Sequence, residues 1–297
     1  MNLPLSILNL PLTQPVMIFL LVLLIILICP LVFKRVGIPQ IVGLILSGVV
    51  VGPYGFNILA RDASFEIFGQ VGILYLMFLA AVEIDMFHLK RNLNRGVAFG
   101  LITFVIPMAA GIIGSRFAFG SSWATCVLIA TMYASHTLIS YPIVSKFGLQ
   151  NAKGAVIAVC ATIVTVLLAL LALAGVVTAT ESGGFSYRKL FILVALMVVY
   201  AVLVGFSFRW ATKYFFRKIS DQVSQFIYVL AMVFIASMFA QLIGLEAILG
   251  AFYAGLILNR FIPDRSGLMG RIKFVGNAIF IPYFLIGVGM LINVHVI

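Results

Sequence analysis

Residues 133–142 read Tyr-Ala-Ser-His-Thr-Leu-Ile-Ser-Tyr-Pro, and residues 161–172 read Ala-Thr-Ile-Val-Thr-Val-Leu-Leu-Ala-Leu-Leu-Ala. The first stretch is an apolar helix that cannot stay regular. Pro142 has no N–H, and its ring clashes with the carbonyl of Leu138. Tyr141 is pushed out of the helical region by the proline that follows it. Ser135, His136, Thr137, Ser140 and Tyr141 gather polar groups where the middle of a bilayer belongs. Lipid offers no hydrogen bonds, so irregular backbone survives there only when it is buried in protein or lines a cavity. An interrupted helix is therefore expected around Tyr141 and Pro142, and such breaks mark binding sites at the bilayer midplane. The second stretch sets Thr162 and Thr165 one turn apart, with Val166 beside them.

The surrounding composition agrees. The chain of 297 residues is 64% hydrophobic and 9% charged, with mean hydropathy +1.23. A soluble domain is about 25% charged, so this is an all-α polytopic membrane protein. Cys29, Cys126 and Cys160 each sit in an apolar run, without disulfide or metal-ligand spacing, and read as small hydrophobes. No Lys or Arg precedes residue 34, so the first hydrophobic stretch lacks the basic start of a cleaved signal peptide and is expected to be retained. Residues 1–14 are rich in Leu and Pro, too broken to span, and expected at the interface. The transmembrane domain is expected over 15–297.

Ten segments approach the roughly 20 residues that cross a bilayer: 16–33, 38–58, 66–87, 97–118, 123–147, 152–178, 188–216, 222–243, 245–260 and 272–295. Segment 7 is overlong and ends as a basic amphipathic helix. The charges test this count. Loops after odd segments hold 15 basic residues, among them Lys90, Arg91, Arg95, Lys213 and Arg271. Loops after even segments hold 4: Arg61, Arg116, Arg188 and Lys189. Lys and Arg collect on the cytoplasmic side, which puts the odd loops inside and both termini outside an inner (plasma) membrane. The net charge of +11 is thereby explained with no nucleic-acid partner.

Acidic residues number 8, with none between Asp85 and Glu181. Glu83 and Asp85 stand at the inner end of segment 3, where a solvated helix end paired with Lys90 and Arg91 is the plain reading. Glu246 begins segment 9, either complementing the positive end of the helix dipole or lining an outer vestibule. His136 falls inside the broken helix. It is either a hydrogen-bonded structural residue or a titrating group on an ion path, since its ordinary pKa lies near neutrality.

Five stretches in this order carry a resemblance: Ile38-Pro-Gln-Ile-Val-Gly-Leu-Ile-Leu-Ser-Gly through Gly52-Pro53; Leu79-Ala-Ala-Val-Glu-Ile-Asp85; Ala134-Ser-His-Thr through Tyr141-Pro-Ile-Val; Gly244-Leu-Glu-Ala-Ile-Leu-Gly-Ala-Phe-Tyr-Ala-Gly255; and Phe284-Leu-Ile-Gly-Val-Gly-Met290. Together they resemble the second group of bacterial monovalent cation:proton antiporters. The resemblance implies a helix panel for homodimerisation and a mobile core with two crossed, interrupted helices. It implies an inverted repeat, alternating access, and Na+ or K+ exchanged for H+. Segment 5 is similar to the first interrupted helix. Segment 6 is similar to the helix whose aspartate, in a Thr-Ile-x-Thr-Asp context, binds ion and proton in turn. Here that position is Val166, and segment 6 holds no carboxylate. The family's domain continues for about three more helices, so the second repeat is expected to be incomplete.

A valine offers neither charge nor oxygen. A cation held only by hydroxyls and carbonyls would stay uncompensated, at a cost of several kcal/mol, about what burying one unpaired ion demands. Three functions remain open: an antiporter whose path is lined by Ser135, Thr137, Ser140, Thr162 and Thr165; a transport-inactive relative acting as scaffold, sensor or partner subunit; and a carrier of a neutral or anionic solute using half-helix ends. The chain shows no Ser/His/Asp set, metal-ligand cluster or phosphate-binding glycine loop, so no enzyme, cofactor or metal site is expected. The expected partners are a monovalent cation, a proton and membrane lipid.

Overall fold

The computed structural model describes residues 10–35, 37, 39–135, 144, 147–149, 152–181, 187–263 and 266–293. Among them the helices are α1 (Pro15–Arg35), α2 (Gln40–Val51), α3 (Ala63–Glu83), α4 (Met86–Phe119), α5 (Trp123–Ala134), α6 (Lys153–Glu181), α7 (Tyr187–Lys218), α8 (Gln222–Leu242), α9 (Ala247–Leu258), α10 (Gly267–Val275) and α11 (Ile281–Met290). The last two join through a π-helical turn, Gly276–Phe280. Seven helices, counting Gly267–Met290 as one, are long and apolar enough to cross a membrane, and three shorter apolar ones accompany them. This is the all-α architecture, with the ten segments, that the hydropathy pattern predicts.

Several boundaries differ: α2 ends at Val51 rather than at residue 58, and α4 begins at Met86 rather than at residue 97. Segment 3 is expected to run to residue 87, but α3 stops at Glu83 and α4 starts at Met86. Asp85 is the reason. Its backbone is extended and its carboxylate accepts the N–H of Phe87 at 2.7 Å, which caps a new helix rather than extending the old one. Lys90, Arg91 and Arg95 therefore lie on the first turns of α4 and not in a loop.

The chain forms two compact units: Met1–Leu79 with Arg265–Ile297, and Ala80–Asp264. In the first unit α2 packs on α11 at backbone distance. A Cβ on Gly48 would collide with the carbonyl oxygen of Ile286, and one on Gly289 with that of Ile45. The turn after α2 closes over its own end: Phe56 N–H donates to Val50 O at 2.8 Å and Leu59 N–H to Val51 O at 2.9 Å. Leu12 N–H then donates to Ile58 O at 2.9 Å. The hydroxyl of Tyr75 donates to Ile272 O at 2.8 Å, and its ring lies against Gly276 and stacks on Phe280 with centroids 5.2 Å apart. The π turn thus sits on a buried tyrosine. Phe19, Phe65 and Phe68 surround Tyr283.

In the second unit α4 packs along α5 and α6. Gly96 faces Cys160, Gly100 faces Ala161 and Val164, and Gly111 faces Ala130. Each glycine admits a side chain or backbone atom of the partner helix, the small-residue packing that membrane helices rely on. The same device joins α9 to α8, where Gly250 meets Ala236 and Ser237. Two tyrosines fasten this layer: Tyr200 OH donates to Ala236 O at 2.9 Å, and Tyr253 OH to Ala201 O at 2.6 Å.

Candidate functional site

α5 begins with Ser122, whose side chain accepts the N–H of Thr125. It ends after 12 residues, about 18 Å of rise. That is short of the ~30 Å hydrocarbon layer. Ser135 follows in extended conformation, with its N–H on Thr131 O. The helix therefore stops seven residues before Pro142, earlier than the proline alone predicts. Ser and Thr side chains compete with the helix for backbone groups, and the run Ser135-His136-Thr137 opens at this end. His136, Thr137, Ser140, Tyr141 and Pro142 lie outside the described residues, so only Ser135, half-buried, represents the expected cluster.

α6 packs against both α4 and α5. Thr162 is 8%, Thr165 0% and Val166 5% exposed, so all three expected positions are in the interior. Thr162 Oγ1 donates to Ala158 O and Thr165 Oγ1 to Thr162 O, each at 3.0 Å. Both hydroxyl protons are thereby committed to carbonyls of their own helix. A hydroxyl oxygen is an acceptor as well as a donor, and the acceptor lone pairs are the part of the group that coordinates a cation. Val166, beside them, contributes volume only.

The second polar locality is the turn between α3 and α4. Glu83 is buried at 8% exposure. Asp85 is exposed, caps α4 and lies 3.8 Å from His88 Nε2. Sequence reasoning missed the residue that organises this turn. Asn259, just after α9, donates its Nδ2 to Val82 O at 2.6 Å, Ile84 O at 2.9 Å and Ala81 O at 3.5 Å. These are the orphan carbonyls that a helix end leaves behind. The only sequence signal is an amide where the apolar run of α9 stops. Asn92 is also buried, with Nδ2 on His88 O at 2.9 Å. Glu246 precedes α9, exposed and making no side-chain cap bond.

The transmembrane sodium/hydrogen exchanger family model matches residues 22–297. The chain is 38% identical over 283 residues to the Na+/H+ antiporter NhaS5 of Synechocystis sp., an alignment covering 95% of this chain and 40% of that protein. It is 30% identical over 284 residues to a probable Na+/H+ antiporter 3 of Methanocaldococcus jannaschii, covering 94% and 72%. The fold is similar to that of the sodium proton antiporter MjNhaP1 from Methanocaldococcus jannaschii, with a TM-score of 0.71 at 17% identity, covering 94% of this chain and 70% of that one. The chain thus spans less than half the length of the first of these relatives.

Proposed function

Because the chain belongs to the sodium/hydrogen exchanger family, we propose that it exchanges Na+ or K+ for protons by alternating access. The observation that carries this reading is the family match from residue 22 to residue 297, which includes the short α5 and the threonines of α6. The buried hydroxyls of Thr162 and Thr165, with Ser135 and backbone carbonyls near the end of α5, are the proposed cation ligands. Thr137 and Ser140 extend that set by sequence. His136 is the proposed proton carrier. Neutral imidazole tolerates a nearby cation, whereas imidazolium repels it, so the two occupants exclude each other without a carboxylate. The family's homodimeric assembly in a plasma membrane, with both termini outside, belongs to the same proposal.

The experiment is proton flux in proteoliposomes under an imposed pH gradient, with Na+ or K+ added. Cation-dependent flux in the unmodified chain, lost in His136→Ala, supports the reading. Silence in the unmodified chain with flux restored by Val166→Asp means that the valine alone disables an intact carrier. Silence in both overturns antiport by this chain and leaves the scaffold or partner-subunit role.

A further inference from the structure

α7 is 32 residues long, about 48 Å of rise, well beyond the ~30 Å hydrocarbon layer. Its basic residues fix how it sits. Between Lys189 and Arg209 lie nineteen uncharged residues, and that interval also rises about 30 Å. The first cation after it, Arg209, therefore stands at the opposite membrane surface, and the rest of the helix continues roughly 14 Å past it.

Beyond this level one face is exposed without interruption. Arg209, Trp210, Lys213, Tyr214, Arg217 and Lys218 are all open, and they follow the i, i+3, i+4, i+7 rule of a single helix face. Phe206, 77% exposed, begins the stripe one turn deeper. The opposite face is occupied. Thr212 is buried with its hydroxyl 3.2 Å from Tyr228 OH, and Phe215 stacks on Tyr228 with centroids 4.1 Å apart. On the open face Trp210 and Tyr214 stack at 6.0 Å, and Lys218 Nζ lies 4.6 Å from the Tyr214 ring centre.

The stripe has no acidic member, and among the described residues no carboxylate lies within salt-bridge distance of its four cations. The nearest acid in sequence, Asp221, is engaged at the start of α8, accepting Ser224 N–H and Oγ–H at 2.8 Å. Guanidinium groups bind phosphate oxygens in bidentate fashion, and indole and phenol rings settle at headgroup depth. Four cations at the surface of the cytoplasmic leaflet attract anionic lipid by about 1 kcal/mol each at most.

We propose that the Arg209–Lys218 face of α7 is a binding site for the headgroups of anionic phospholipids. The arginines would take the phosphates while Trp210 and Tyr214 hold the acyl–headgroup boundary.

The test is a thermal-stability titration of the full chain in neutral detergent, with phosphatidylglycerol or phosphatidylcholine added. Phosphatidylglycerol is expected to raise the melting temperature by several degrees more than phosphatidylcholine. The difference should shrink with added salt and vanish in the variant Arg209→Gln, Lys213→Gln, Arg217→Gln, Lys218→Gln. If that variant does not fold, native mass spectrometry of Lys213→Gln, Arg217→Gln should show fewer retained anionic lipids than the parent. Equal shifts with both lipids, or lipid retention unchanged by the substitutions, would overturn the proposal. So would an equal shift with soluble glycerol phosphate, which would assign the face to free phosphate. None of these readouts depends on ion flux, so the proposal fails or stands apart from the antiport reading.

Discussion

One amide group, Nδ2 of Asn259, serves three carbonyls at the end of α3. Asn259→Leu keeps the volume and removes the donor, so it should lower stability by about 1–3 kcal/mol, the penalty for buried acceptors left unmade. Thermal unfolding in detergent measures this; an unchanged midpoint would show that water replaces the amide. Asp85→Ala removes the cap on Phe87 and should cost about 1 kcal/mol by the same assay. Thr165→Val leaves the packing intact and deletes a buried oxygen. If Thr165 lines the cation path, its flux should fall about tenfold, equivalent to ~1.4 kcal/mol of lost interaction. Unaltered flux would remove Thr165 from the path. Thr162 and Thr165 stand out in the sequence because polar residues are rare in an apolar helix, and Val166 stands out because the resemblance places an aspartate there; all three are buried. Asn259 was not legible, since its partners are 175 to 178 residues away and nothing local announces the pairing.

At the scale of helices, glycine carries two opposite meanings that the sequence does not separate. Gly48 has no room for a methyl group, because the Ile286 carbonyl occupies the place. Gly270, within α10, has open space within 4 Å of the point where a methyl group would stand. Gly48→Ala should therefore destabilise by roughly 1–3 kcal/mol through overpacking. Gly270→Ala should stabilise by up to ~1 kcal/mol through helix propensity. The two midpoints moving the same way would contradict the α2–α11 contact. The helices themselves were legible because a 20-residue apolar run has few alternatives in lipid. Their ends were less so. Pro142 predicts a break later than Ser135, where α5 stops, and an aspartate at a charged helix end does not by itself show that it caps a new helix, as Asp85 does.

For the molecule as a whole, the charge asymmetry predicts which side each turn faces. Cys29, Cys126 and Cys160 are all buried, so replacing them with Ala should give a chain silent to thiol reagents. A single cysteine at Ser121, between α4 and α5, should then react with a membrane-impermeant maleimide from outside intact cells. One at Ser220, between α7 and α8, should react only after lysis. The reverse pattern would invert the topology. The π turn at Gly276–Phe280 bears on a different property, tolerance to changes in chain length. A π turn holds one residue more than the α-helix around it. Losing one residue from a regular helix swings everything downstream through about 100°. Losing Ala278 would instead let the turn relax to α geometry, leaving Ile272 under Tyr75 and Tyr283 among its phenylalanines. A one-codon deletion should be survivable at this point of the gene and ruinous in the unbroken helix Gln222–Leu242.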